Sequence, residues 1–202
     1  MDPQVMAEVR RLMATEDEPI SAARDRAGSR MATPSPEIGA LLRWAATTTA
    51  ARAVVEIGSA GGVSGLWLLP ALPERGVLTS IDADPHAHGL ALQAFEQGAV
   101  GARVRSILDD PSTVLPRLSD GAYDLAILQA IPSGYPAQLD HARRLLRPGG
   151  MLIARGVLRP GDHGDALARF VQDLAEDAAF TAVVLPIDDG LALATRVADE
   201  PV

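Results

Sequence analysis

An α/β fold is predicted for this chain of 202 residues: a seven-stranded, mostly parallel sheet with helices on both faces and a C-terminal antiparallel hairpin. Three observations predict it. From residue 53 onward, short apolar runs rich in Val, Ile and Leu alternate with helical stretches across short turns, the pattern of strand–helix units that build a parallel sheet. A glycine-rich turn, Gly58-Ser59-Ala60-Gly61-Gly62, joins the first such run to its helix. The last two runs flank Ile187-Asp188-Asp189-Gly190, a hairpin-type turn that reverses direction.

Each element follows in order. Residues 1–30 are polar and helix-prone, with Val5, Val9 and Leu12 at helical spacing, and read as an N-terminal helical arm. The arm is expected to pack on the domain or on a second copy, giving a homodimer. Residues 31–202 form the main domain. A Pro-containing loop, residues 31–36, precedes a helix that starts at Ser35 or Pro36 and carries Ile38, Leu41, Leu42 and Trp44. Strand one covers residues 53–58 and its helix 63–71; strand two covers 76–82, with a helix over 85–97. Strand three is short, 102–108, before a helix over 111–118. Strand four spans 123–128, with a helix over 136–146, and strand five 150–154, with a helix over 165–177. Residues 180–186 and 191–197 form the hairpin.

Composition excludes several functions. Hydrophobic residues make up 48% and charged residues 22%, so the chain is globular rather than disordered. No apolar run approaches the roughly 18 residues of a membrane span, and the charged start is no secretory signal, so a cytoplasmic, membrane-free protein is expected. There is no cysteine, hence no disulfide, thiolate nucleophile or Cys–zinc site. All 18 basic residues are arginine, which removes a Schiff base or lysine base. A net charge of −8 argues against broad nucleic-acid binding, although Arg143, Arg144 and Arg147 fall on one segment.

The turn after strand one carries the chemistry. An acidic strand end, a glycine turn and a helix start form a nucleotide-binding arrangement, because glycine lets backbone approach a ligand. The spacing Gly58-x-x-Gly61-Gly62, with Glu56 ahead of it, fits poorly to the G-x-G-x-x-G of nicotinamide sites. It resembles the first motif of S-adenosylmethionine-dependent methyltransferases. Together with residues 76–82, residues 123–128 and Leu145-Leu146-Arg147-Pro148-Gly149-Gly150, it resembles the catechol and caffeoyl-CoA type of O-methyltransferase, over residues 30–197 and with Gly190 in the last hairpin.

The resemblance implies a Rossmann-like class I methyltransferase fold, S-adenosylmethionine as cofactor and a small-molecule acceptor. It implies that Gly58, Ser59 and Gly62 line the methionine end, that Ser64 meets its carboxylate, and that Glu56 holds that end of the pocket. Asp82, ending strand two beside Ala83, would accept both ribose hydroxyls; capping the next helix is its competing use. Asp110 stands in the adenine-contacting turn, where Pro111 removes a backbone donor. Pro34 and Ser35 occupy an upstream cofactor-contacting loop, and Tyr135 matches a tyrosine that lines the acceptor pocket or packs. Relatives carry Phe-Ile-Asp-Ala-Asp-Lys at the end of strand four and Asp-Asn at the end of strand five, and hold a divalent ion there. Here those positions read Ile127-Leu128-Gln129-Ala130-Ile131-Pro132 and Arg155-Gly156, so no metal is expected, and Gln129 is assigned to the cofactor wall.

Two outcomes follow. One is a metal-independent O-methyltransferase that works by positioning, with His163 as base and Asp162 or Asp165 orienting it. The other is a cofactor-binding protein without conventional activity. An RNA methyltransferase stands as a further alternative and would need a contiguous arginine face. His86 and His88 read as solvated residues, and His141 as helix surface or a partner contact.

Overall fold

The computed structural model describes residues 3–13, 15–129, 132–161 and 163–198. Seven strands form one sheet: β1 (Ala53–Ile57), β2 (Val77–Asp82), β3 (Val104–Leu108), β4 (Tyr123–Leu128), β5 (Leu146–Arg155), β6 (Phe180–Leu185) and β7 (Leu191–Arg196). Their order is β3-β2-β1-β4-β5-β7-β6; the first five are parallel, and β7 runs antiparallel to both β5 and β6. The expected sheet and hairpin are therefore present. The helices are α1 (Pro3–Met13), α2 (Glu18–Ala27), α3 (Pro36–Thr48), α4 (Val63–Leu68), α5 (Pro85–Gln97), α6 (Pro111–Val114), α7 (Tyr135–Leu145) and α8 (Gly164–Glu176).

Strand side chains alternate between faces, and the two faces hold separate apolar clusters. Val55, Ile57, Ala126, Leu128, Leu152 and Ala154 pack with residues of α6, α7 and α8. Val54, Leu78, Leu125, Ile127 and Ile153 pack with α2, α3, α4 and α5. The even-numbered Glu56 of β1 consequently points to the α3–α4 side, with Val54.

Several boundaries differ from expectation. The helices after β1 and β3 end early in 3-10 turns, Leu69–Ala71 and Leu115–Arg117, because Pro70 and Pro116 cannot donate to a continuing α-helix. Strand β5 begins at Leu146 rather than residue 150. Tyr123 pairs with Leu146 and Leu125 with Met151, so the intervening Arg-Pro-Gly-Gly is absorbed as an irregularity inside the strand. Ile20 and Ala23 of α2 are buried in the same cluster as residues of α3 and α4. Asp17 caps α2 by accepting from Ile20 N. Helix α1 leaves Val5 and Leu12 exposed, and α3 leaves Trp44 exposed.

Register positions the site. Ile57 pairs with Ile81 and Leu128, and Leu128 with Ala154. One step further, Gly58, Asp82, Gln129 and Arg155 form a row at the carboxyl edge of four adjacent strands. Carboxyl edges of parallel strands are where α/β proteins bind ligands.

Candidate functional site

A cleft of about 1000 Å³ opens above that row, a volume at the upper end for small-molecule sites. Its floor includes Gly58, Asp82, Ala83 and Gln129. One wall comes from the end of α2 and the loop after it, residues 26–29, 31 and 32; another from Asp110, Pro111 and Leu115; a third from α7; and Arg159 also lines the cleft.

Gly58 has φ +89°, which only glycine adopts without strain, and its amide bonds Ile81 O at 2.8 Å. Gly62, at φ +87°, has a different reason: a Cβ there would come within 2.7 Å of Ala94 and 3.1 Å of the Ala91 backbone. It lets α5 close on the turn, and it does not line the cleft. Asp82 is held from below. Ser59 donates to Oδ2 through its amide (2.7 Å) and its hydroxyl (2.6 Å), and Asp84 N donates to Oδ1 (3.0 Å). Asp84 performs the capping that competed for Asp82, accepting from His86 N at 2.8 Å. The Asp82 carboxylate is thus fixed at the cleft edge with acceptor capacity remaining, the property a diol site needs.

Beneath the floor lies a buried polar network. Glu56 faces Ser80 across the β1–β2 register, and both are buried. Ser80 Oγ donates to Oε1 at 2.6 Å and Ser64 Oγ to Oε2 at 2.7 Å. Burial pushes the Glu56 carboxyl up to about 7, with nearby Asp82 adding to the rise while both serine hydrogen bonds oppose it. Gln129 Nε2 donates to Ser64 Oγ (2.7 Å), Gly58 O (2.8 Å) and Glu56 Oε2 (3.3 Å). Its Oε1 accepts from Arg155 Nη1 at 2.9 Å. Arg155 also donates to Ala32 O and Thr33 O, tying the loop after α2 to the end of β5. Glu56, Ser59 and Ser64 therefore support the floor from inside the core instead of forming its surface.

The arrangement does not fit the metal site of the resembled family. Gln129 and the Arg155 guanidinium stand where carboxylates and an amide would hold the ion, and a cation there would meet a fixed positive charge. Among the described residues, no group of three or more His, Asp or Glu stands together as a metal-binding set.

Other expected residues fall differently. Tyr135 is in the core: its hydroxyl lies 2.8 Å from Arg155 O and 3.1 Å from Leu128 O, and its ring meets Phe170 edge-on at 5.4 Å. Burial raises the phenol further, so it stays protonated. Its neighbours Ser133 and Gly134 line the cleft instead. Pro34 is buried and off the cleft; Met31 and Ala32 of the same loop line it. His163 is exposed at the start of α8 and absent from the walls, and Asp162 lies outside the described residues. The imidazoles on the walls are His86 and His141, which sequence position assigned to the surface. Burial, then the charge of Arg144, lowers His141, leaving it neutral near pH 7. Their signal was weak because an isolated His on a helix does not reveal which face the helix turns to a cleft. Arg143, Arg144 and Arg147 are paired with Asp177, Asp120 and Asp124, so the arginine-rich segment is internally neutralised.

An O-methyltransferase family profile matches residues 5–197. A protein of Mycobacteroides abscessus, provisionally named an O-methyltransferase, is 42% identical over 193 residues, covering 90% of each chain. A protein of Mycolicibacterium vanbaalenii named in the same way is also 42% identical over 193 residues, covering 90% of this chain and 85% of its own. Among solved structures, the O-methyltransferase TomG from Streptomyces achromogenes, involved in tomaymycin synthesis and in complex with SAM, superposes with a TM-score of 0.86 at 25% identity, over 96% of both chains. With the cleft, the strand order and these matches in agreement, the chain belongs to the O-methyltransferase family.

Proposed function

We infer that the chain transfers a methyl group from S-adenosylmethionine to an oxygen of a small molecule, without a divalent metal. The observation that carries this reading is the Asp82 carboxylate, held at the cleft edge by three hydrogen bonds in the same row as Gly58. When bound, the cofactor supplies a methyl group on a sulfonium. The residues have the rest of the work: Asp82 receives the ribose hydroxyls, Gly58 presents backbone at the methionine end, and Gln129 closes the floor. Aligning an acceptor oxygen with a good leaving group can supply much of the rate. No base is assigned among the described residues: His163, the candidate from the sequence, is exposed and off the cleft walls. A small acceptor agrees with the walls, and the pairing of Arg143, Arg144 and Arg147 with carboxylates speaks against an RNA-binding face. A homodimer is proposed on the exposed Val5, Leu12 and Trp44 and is tested by sedimentation.

The Gln129–Arg155 plug favours a second reading, in which the cofactor binds but turnover is absent. Calorimetric titration with S-adenosylmethionine and S-adenosylhomocysteine, with and without EDTA, separates these possibilities from a third. EDTA-insensitive binding in about the micromolar range is expected; no binding to either ligand would remove both readings. Binding with no product across acceptors bearing phenol, carboxylate and alcohol groups would leave the second.

A further inference from the structure

The geometry points to Gln138 as the residue that reads the base of the bound nucleoside, its carboxamide pairing with the 6-amino edge of adenine. The inference rests on the cofactor reading above and concerns a residue that neither motif nor spacing singles out.

Gln138 lies on α7, is 8% exposed, and lines the cleft. Its Oε1 is buried without a partner. A buried polar atom left unpaired calls for an explanation, and one on a side chain that also lines the cleft is placed to meet a ligand. Gly134, one turn earlier, makes room for the group: a Cβ at 134 would stand 2.8 Å from Gln138 Nε2.

Position along the cleft identifies what that partner is. Asp82 sits at the end of β2 and pairs in register with Leu108 of β3, so a base attached to a ribose at Asp82 extends toward the turn that follows β3. The turn has no backbone donor left to offer. Asp109 N bonds Asp82 O (3.1 Å), Asp110 N bonds Asp109 Oδ1 (2.8 Å), and Ser112 N bonds Asp110 Oδ1 (2.8 Å). Pro111 has no N–H. Beside the Asp110 carboxylate of that turn, the facing wall offers a second acceptor for the 6-amino group. Helix α7 is fixed against this side because Arg144 donates to Leu115 O and Leu118 O, each at 2.7 Å. The stripe Gly134, Gln138, His141 follows helical spacing toward that anchor. A carboxamide is the side chain whose acceptor and donor match the amino group and adjacent ring nitrogen of adenine.

The test compares S-adenosylhomocysteine with its purine-ribosyl analogue, which lacks the 6-amino group, by calorimetry on the intact protein. Wild type should bind the adenosyl ligand about tenfold more tightly. Gln138→Leu should lose about that factor for S-adenosylhomocysteine, leave the analogue unchanged, and so abolish the preference. Gln138→Glu, which keeps an acceptor oxygen, should keep the preference. Gln138→Met replaces the leucine variant if thermal melting shows that the latter does not fold. A folded variant that retains both affinity and preference would overturn the assignment to Gln138 while leaving the cofactor reading standing. Failure of wild type to bind S-adenosylhomocysteine would overturn both.

Discussion

The two ends of the central strands solve opposite problems. At the amino end, Asp124 opens β4 and receives Arg52 N at 2.7 Å and Ala53 N at 2.9 Å on one oxygen and Arg147 Nε at 2.6 Å on the other. Burial pulls its carboxyl up, but the two amides and the guanidinium outweigh burial and hold it below the usual carboxylate range. Arg147 also donates to Thr49 O, so β1, β4, β5 and the end of α3 are tied at one point. At the carboxyl end, Glu56 is fully buried with no cation bonded to it, and burial carries its carboxyl up to about 7. Arg155 Nε and Gln138 Oε1 are buried without partners. One end has its polar groups satisfied within the chain and holds the sheet together; the other leaves capacity for a ligand. One sheet, with opposite polar balance at its two ends, separates stability from function.

Titration gives the largest test of that contrast. Because the folded carboxyl of Glu56 is raised, the folded state binds more protons between about pH 4.5 and 7, and stability falls as pH rises through that window. Wild type should lose on the order of 3 kcal/mol there, and Glu56→Gln should flatten the profile in urea unfolding. A flat wild-type profile would remove Glu56 from the account. Asp124 behaves with the reverse sign: its lowered carboxyl stabilises above the unfolded value and loses that contribution as pH falls through the folded one. Asp124→Ala should destabilise by about 2 kcal/mol, since it strands two backbone donors and a guanidinium, while leaving cofactor affinity unchanged. Loss of affinity in the folded variant would break the separation between ends.

Smaller effects sharpen the ligand end. Asp82→Ala should weaken S-adenosylmethionine binding by about tenfold, near 1.4 kcal/mol; unchanged affinity in a folded variant would remove the ribose assignment. His163→Ala is expected to change turnover by less than about threefold, because the side chain is exposed and off the cleft walls. A loss of about a hundredfold, the scale of general-base catalysis, would place the base there.

Much of this was legible beforehand because it depends on short stretches of chain. The alternation of apolar runs gave β1 to β7 to within a few residues, and the prolines and glycines gave most turns. Misjudged elements share a cause. Strand β5 starts four residues early because pairing with Tyr123, far away in sequence, extends it through Arg147 and Pro148. Gly62 reads as a ligand contact in the motif, but its neighbour is α5. Tyr135 reads as a pocket or a packing residue, and the rotation of α7 gives it the packing role against Phe170 and turns Gln138 and His141 to the cleft.

The sequence by itself determined the α/β class, the place of the glycine turn, the acidic ends of β1 and β2, and the absence of a carboxylate at 129 and 155, because residue type and local period carry that information. Only the tertiary structure decided which polar groups meet. That Glu56 faces Ser80, that Gln129 receives Arg155, and that Gln138 is buried without a partner all follow from register and helix rotation. Those are set by packing the two apolar clusters against one sheet, and no single segment contains them.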